Sequence, residues 1–268
     1  MDTGLLVEKF ALMGARLQFR EIEDTLPRWR RPNPGIDIGT DEKGEFFDIR
    51  VGRGEGVEYE VVDLRRDMRH LLLLGRRGEQ KEKYLCGHDE RHWFVCAVPG
   101  ASVSGVVTAF EALQPPAVRR AVRRNLRRQK NRFRRRNEAY VRQGEWFFVP
   151  HPNLVVPEAQ VLRNEPLSRG AGSKPHTCQF AYRSGGVSVM VCARHPQGLT
   201  HAQYRAVLDA NPKAARWGWR QMNRDPAFYA RGRVWHRDHK TVVLDVWHRV
   251  AMNTEREAPF APRVVFLD

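Results

Sequence analysis

Apolar and polar residues alternate along short runs in the first third of the chain. EFFDIRV (45–51) and VEYEVVDL (57–64) have much of the period-two pattern of half-buried strands, HWFVCAV (92–98) is a further short β-type run, and RGEG, RRD, RRGEQ and GHDE turns separate such runs. RHLLLLG (69–75) and KYLCG (83–87) supply two more β-type runs, so this block reads as a meander, a small sheet or a barrel. Ahead of it, Leu5, Leu6, Phe10 and Met13 mark a short amphipathic helix.

The pattern changes near residue 100. VVTAFEALQ (106–114) has helical spacing, and beyond Pro115 and Pro116 a second helix is predicted. Val118, Val122, Leu126, Phe133 and Tyr140 recur at intervals of four and seven, with Gln129 and Asn137 as polar gaps in one apolar stripe. A proline in the first turn needs no amide partner and suits the start, while Gly144 suits the end. After residue 144, EWFFVP, CQFAYRS, VSVMVCAR, FYARGRVWH and TVVLDVWH read as strands, with LTHAQYRAVLDA as a helix begun by Thr200. The expected fold is α+β, with two strand-rich blocks of mostly antiparallel sheet bridged by a long basic amphipathic helix. The expected blocks are 1–100, 101–143 and 144–268, the last of mixed α/β character with a histidine cluster.

Charge sharpens the reading of the middle block. Between Val118 and Arg142, twelve of twenty-five residues are Arg or Lys and only Glu138 is acidic, a net +11 within a chain total of +15. The remaining residues therefore net only +4, from 34 basic against 30 acidic. Such concentrated charge repels itself, a cost usually offset by a polyanionic partner. Arg119, Arg120, Arg123, Arg124, Arg127, Arg128, Lys130, Arg132, Arg134, Arg135 and Arg136 are the candidate nucleic-acid contacts. RNA or unspecific duplex is favoured, because few Asn or Gln side chains remain to read bases. The WGW at 217–219, flanked by Arg216 and Arg220, is a candidate stacking platform for unpaired bases, or a core contact with Arg stems alongside.

Composition excludes several classes. Hydrophobic residues at 41% with 10% aromatics indicate a folded protein, and no apolar run approaches the roughly 20 residues a membrane helix needs. The N-terminal residues lack the features of a secretory signal, so a cytoplasmic protein with no membrane partner is expected. Cys86, Cys96, Cys178 and Cys192 form no closely spaced pair, which excludes a cysteine-based zinc ribbon. Deaminase, RNA-recognition and KH signatures are absent.

Candidate chemistry concentrates in GRVWHRDHKTVVLDVWHRV. On a strand His236 and Asp238 share a face, a spacing suited to one water or one divalent metal, with His248 as a further candidate ligand. A hairpin turn over 237–240 would pair His236 with Thr241 and separate it from His248, so another segment would have to contribute. His176, in the Gly-rich cationic loop SRGAGSKPHT (168–177), is the natural choice. In that loop Arg169 and Lys174 are candidate phosphate contacts and Gly170 and Gly172 would allow close backbone approach, although the order of Gly and Lys is not that of a nucleotide-binding P-loop.

Three functions compete on these residues. The first is a nucleic-acid-binding protein that grips phosphates with the Arg-rich helix. The second is a phosphodiesterase, with His236 and Asp238 binding metal or activating water, His239 or His176 protonating the leaving oxygen, and Arg169 or Lys174 neutralising charge. The third is a structural or regulatory protein holding an acidic protein partner.

Overall fold

The computed structural model describes residues 2–22, 35–54, 56–169 and 174–255. These residues form a mixed α+β fold with four α-helices and four sheets, antiparallel except for one strand pair. Gly170 and Gly172 lie outside the described residues.

The N-terminal helix α1 (Thr3–Leu12) is capped by Asp2, whose carboxylate accepts from the Leu5 amide. Strands β1 (Leu17–Ile22), β2 (Gly35–Asp41) and β3 (Gly44–Gly52) follow in the order β1-β3-β2, with β1 parallel to β3. Strands β4 (Val57–Arg65), β5 (His70–Arg77), β6 (Gln80–Asp89) and β7 (His92–Ala97) form an antiparallel meander in sequence order.

Leu71 to Leu74 explain why β5 lacks alternation. Both faces of this strand are covered: Leu71 and Leu73 join the core under α1 and β3, while Leu72 joins the one under α2 (Val106–Leu113). A strand buried on both sides reads as a continuous apolar run. Cys86 belongs to the first core and Cys96 to the second, and burial raises both thiol pKa values above the ordinary range. They are small core residues.

The long basic helix is the expectation that the structure corrects. Helix α3 spans only Pro116–Asn125, beginning at the prolines as expected and ending where Leu126 turns extended, with φ −80° and ψ 117°. Val118, Ala121 and Val122 pack its apolar side against Phe147 and Tyr140. Two physical causes stop it. No acidic residue within the helix offsets Arg119, Arg120, Arg123 and Arg124, so further turns would stack like charges along the exposed faces. Asn137 also competes with helical hydrogen bonding: its Oδ1 accepts from the Ala139 and Tyr140 amides at 2.8 and 3.0 Å, and its Nδ2 donates to the carbonyls of Asn131 and Arg134. The supposed stripe then serves separate partners. Phe133 stacks on Phe110 of α2, whereas Tyr140 packs edge-on against Phe147. Gly144 ends no helix. It sits at φ +56° in the tight turn between β8 (Val141–Gln143) and β9 (Trp146–Pro150).

The remaining strands are β10 (Leu162–Leu167), β11 (His176–Ser184), β12 (Val187–Cys192), β13 (His195–Thr200), β14 (Arg220–Arg224), β15 (Ala227–His236) and β16 (His239–Met252). Six of the strands after residue 140 form one sheet in the order β10-β11-β15-β16-β9-β8, so the last strand of the described chain lies inside the sheet. A smaller sheet, β13-β12-β14, carries α4 (His201–Ala210), whose start is a Thr200–Gln203 capping box. No helix among the described residues is long and apolar enough to cross a membrane.

Candidate histidine site and cationic face

Three adjacent strands of the six-stranded sheet build the histidine site. His236 pairs with His239 across a two-residue turn, Arg237 and Asp238, which replaces the longer turn expected from the sequence. Directly paired residues of a hairpin point to the same face, so His239 joins His236 and Asp238 occupies the turn itself. On the other side of β15, Thr177 pairs with Trp235, a register that sets His176 beside His236. The three imidazoles thus gather into one cluster from β11, β15 and β16, with His176 and His239 also only 5.4 Å apart between ring centroids. Ring centroids are 4.3 Å apart for His176–His236 and 4.9 Å for His236–His239, close to the spacing of neighbouring strands.

One ligand atom from each ring lies within 4.8 Å of the other two. His176 is buried at 2% exposure, and neither of its ring nitrogens has a hydrogen-bond partner among the described residues. Burial, then the neighbouring His236 and His239, lowers its pKa to about 3, which keeps the ring neutral. His239 is also lowered, chiefly by burial, and its Nδ1 is unpartnered. His236 is held by Asp238, whose amide donates to Nδ1 at 3.2 Å, and by the Lys174 carbonyl, 3.2 Å from Nε2. Gly144 lies beneath His239, where an added Cβ would come within 2.8 Å of Nε2.

Not every expected residue joins this cluster. Asp238 forms an ion pair with Lys174 at 3.0 Å, which lowers its carboxyl pKa and engages one carboxylate oxygen. His248 pairs with Ala230, six residues along β15 from His236, a separation of roughly 20 Å at strand rise. Its Nδ1 lies 2.7 Å from the Val246 carbonyl. The register shift between Ala230 and Gly232, which fits four steps of β16 against two of β15, shortens that separation without closing it. The structure therefore gathers His176, His236 and His239, with Asp238 in the adjoining turn and His248 set apart.

His236 and His239 open onto a cavity of about 530 Å³ between the β6–β7 end of the meander and the large sheet. Lys174 and Arg169 also line it, and Arg169 pairs with Glu255 at 2.9 Å. Burial raises the Glu255 carboxyl pKa. Asp89, Glu45 and Glu145 supply further carboxylates that the sequence reading left in turns and strand ends. Asp89 is gripped by Arg135 and, at 3.2 Å, by Arg142, while Arg135 also pairs with Glu90. The HDER stretch at 88–91 carried the available signal for this cluster, since charged residues crowd a tight turn there.

The cationic residues divide into two groups. Arg132 pairs with Glu111, Arg135 with Asp89 and Glu90, and Arg136 donates to the Val243 carbonyl, so these three hold the fold together. Arg119, Arg120, Arg123, Arg124, Arg127, Arg128, Lys130 and Arg134 are exposed and make no ion pair with a described residue. At 217–219, Trp217 and Trp219 stack with His195, and Arg194 covers Trp217 at 4.4 Å. The Trp219 indole donates to the Ala214 carbonyl. This cluster is a packed aromatic stack with Arg alongside.

The chain matches no protein-family model, no curated protein and no solved structure in comparisons with known proteins.

Proposed function

We propose that this protein binds nucleic acid, holding phosphates with the exposed cations of α3 and the segment that follows it. One observation carries the reading: eight exposed Arg and Lys side chains between Arg119 and Arg134 lack ion-pair partners among the described residues, while Val118, Ala121 and Val122 anchor α3 to the core. A fixed row of guanidinium groups fits a phosphate backbone and carries little base-reading capacity, which favours RNA or unspecific duplex. The Arg-rich segment continues through Phe133, Tyr140 and Arg142 along the wall of the histidine-bearing cavity. That continuity favours phosphodiester cleavage as the second reading, with the cations delivering a strand to His236 and His239.

The test is fluorescence anisotropy with labelled single- and double-stranded RNA and DNA over a salt series. If about seven of the cations contact phosphates, log affinity falls against log salt with a slope near −6 on duplex, roughly 10³–10⁴-fold between 50 and 200 mM. Replacing Arg119, Arg120, Arg123 and Arg124 by Gln lowers the steepness by about four counterions. Binding that is insensitive to salt and to this replacement rejects the reading. Capture of an acidic protein by the same face, with no nucleic acid bound, would assign the surface to a protein partner.

A further inference from the structure

We infer that His176, His236 and His239 form a binding site for one late transition-metal ion of the zinc class, with its remaining coordination position facing the cavity. This inference is independent of nucleic-acid binding, because metal binding can be measured on the protein alone.

Three observations carry it. The register of β11, β15 and β16 gathers the three imidazoles into one cluster on one face, with a ligand atom of each within 4.8 Å of the others. A tetrahedral ion with nitrogens at about 2.1 Å holds those nitrogens roughly 3.4 Å apart, so side-chain rotation of about 1 Å closes the set without moving the strands. Second, His176 is 2% exposed and both of its ring nitrogens lack a partner among the described residues. Stacking against His236 covers its face but satisfies neither nitrogen, whereas an ion on one of them uses a lone pair that the fold otherwise leaves unsatisfied. Third, the Lys174 carbonyl accepts from Nε2 of His236, leaving the Nδ1 lone pair for the ion in exchange for the Asp238 amide. A backbone carbonyl orienting the far nitrogen is the usual support for a ligating histidine.

The donor set decides the class of ion. Imidazole nitrogen suits zinc, cobalt, nickel and copper, while calcium and magnesium require oxygen ligands. Asp238 is engaged by Lys174 and adds no carboxylate to the cluster. Three protein ligands with an open position characterise catalytic rather than structural zinc sites. The cavity onto which His236 and His239 open is also lined by Glu145, Arg169 and Lys174, the two cations being paired with Glu255 and Asp238.

The experiment uses the full chain without a histidine tag, stripped with chelator and titrated with Zn²⁺ by calorimetry and with Co²⁺ by visible absorption. Stoichiometric binding and a tetrahedral Co²⁺ spectrum without a thiolate charge-transfer band are expected. His236→Ala and His239→Ala each weaken Zn²⁺ binding by on the order of 100-fold or more. His201→Ala, on the exposed side of α4, leaves it unchanged. The buried His176→Ala variant carries a folding risk, so the two half-buried hairpin histidines decide the outcome. Absence of stoichiometric binding, a thiolate band, or unchanged affinity in both hairpin variants overturns the inference.

Discussion

Gly87→Ala tests how closely the meander is packed around His70. The two residues are cross-strand partners on β5 and β6, and the imidazole lies over the glycine. A Cβ built at Gly87 falls 2.1 Å from His70 Cδ2 and 2.4 Å from Nε2. The ring has little room to retreat, since it is 6% exposed, lies 5.0 Å from the Phe110 ring and 5.5 Å from Phe94, and holds the Met68 carbonyl through Nδ1 at 2.5 Å. Overpacking of this kind costs about 1–3 kcal/mol, and displacing the ring also forfeits a hydrogen bond of about 1 kcal/mol. A total near 3 kcal/mol corresponds to a Tm lower by roughly 6–12 °C in a chain of this size. Thermal and urea unfolding of Gly87→Ala, His70→Ala and the double variant measure it. With the ring removed the new methyl meets no obstacle, so the double variant should be about as stable as His70→Ala. A Gly87→Ala protein as stable as wild type, or an undiminished penalty in the His70→Ala background, would refute the reasoning.

Acid should destabilise the fold through the same histidine. Burial lowers the His70 pKa to about 4, so between the unfolded value near 6.5 and pH 4 the unfolded chain takes up a proton that the folded chain resists. Stability is complete above about pH 6.5 and falls by on the order of 3 kcal/mol by pH 4; His70→Phe removes this contribution, as urea titrations at several pH values will reveal. Asp89→Asn leaves Arg142, whose side chain is 17% exposed, without its carboxylate and leaves Arg135 with Glu90 alone. After allowance for partial exposure the cost is about 1–3 kcal/mol, read as a lower Tm, and an unchanged Tm would show the cluster to be energetically neutral.

Every strand that escaped the sequence reading, β1, β2, β8, β10, β13 and β14, lies at a sheet edge, although the edge strands β4 and β7 were legible. An edge strand bonds one neighbour and buries little, so its side chains carry a weak periodic signal. Arg220 to Arg224 are all exposed, and β10 contains Pro166. Interior strands such as β5 and β15 must bury residues and therefore announce themselves. The Arg-rich helix misled for a complementary reason: helical spacing survived from Val118 to Tyr140, but Phe133 and Tyr140 satisfy different neighbours. At the site, His176, His236 and His239 were legible as chemical groups. Their partnership was not, because period two links His236 to Asp238 along a strand, whereas the tight turn reverses the chain and brings His239 across instead. The carboxylates from the meander depended on long-range packing that no local pattern encodes.

The interior placement of β16 has a consequence during synthesis. A nascent chain that has emerged only as far as His236 has made β9 and β15 but lacks the strand that joins them. Each presents an open row of backbone hydrogen-bonding groups during that interval, the geometry that invites pairing with another chain. Premature termination within the final hairpin would therefore leave two adhesive edges, making aggregation the expected fate of such fragments.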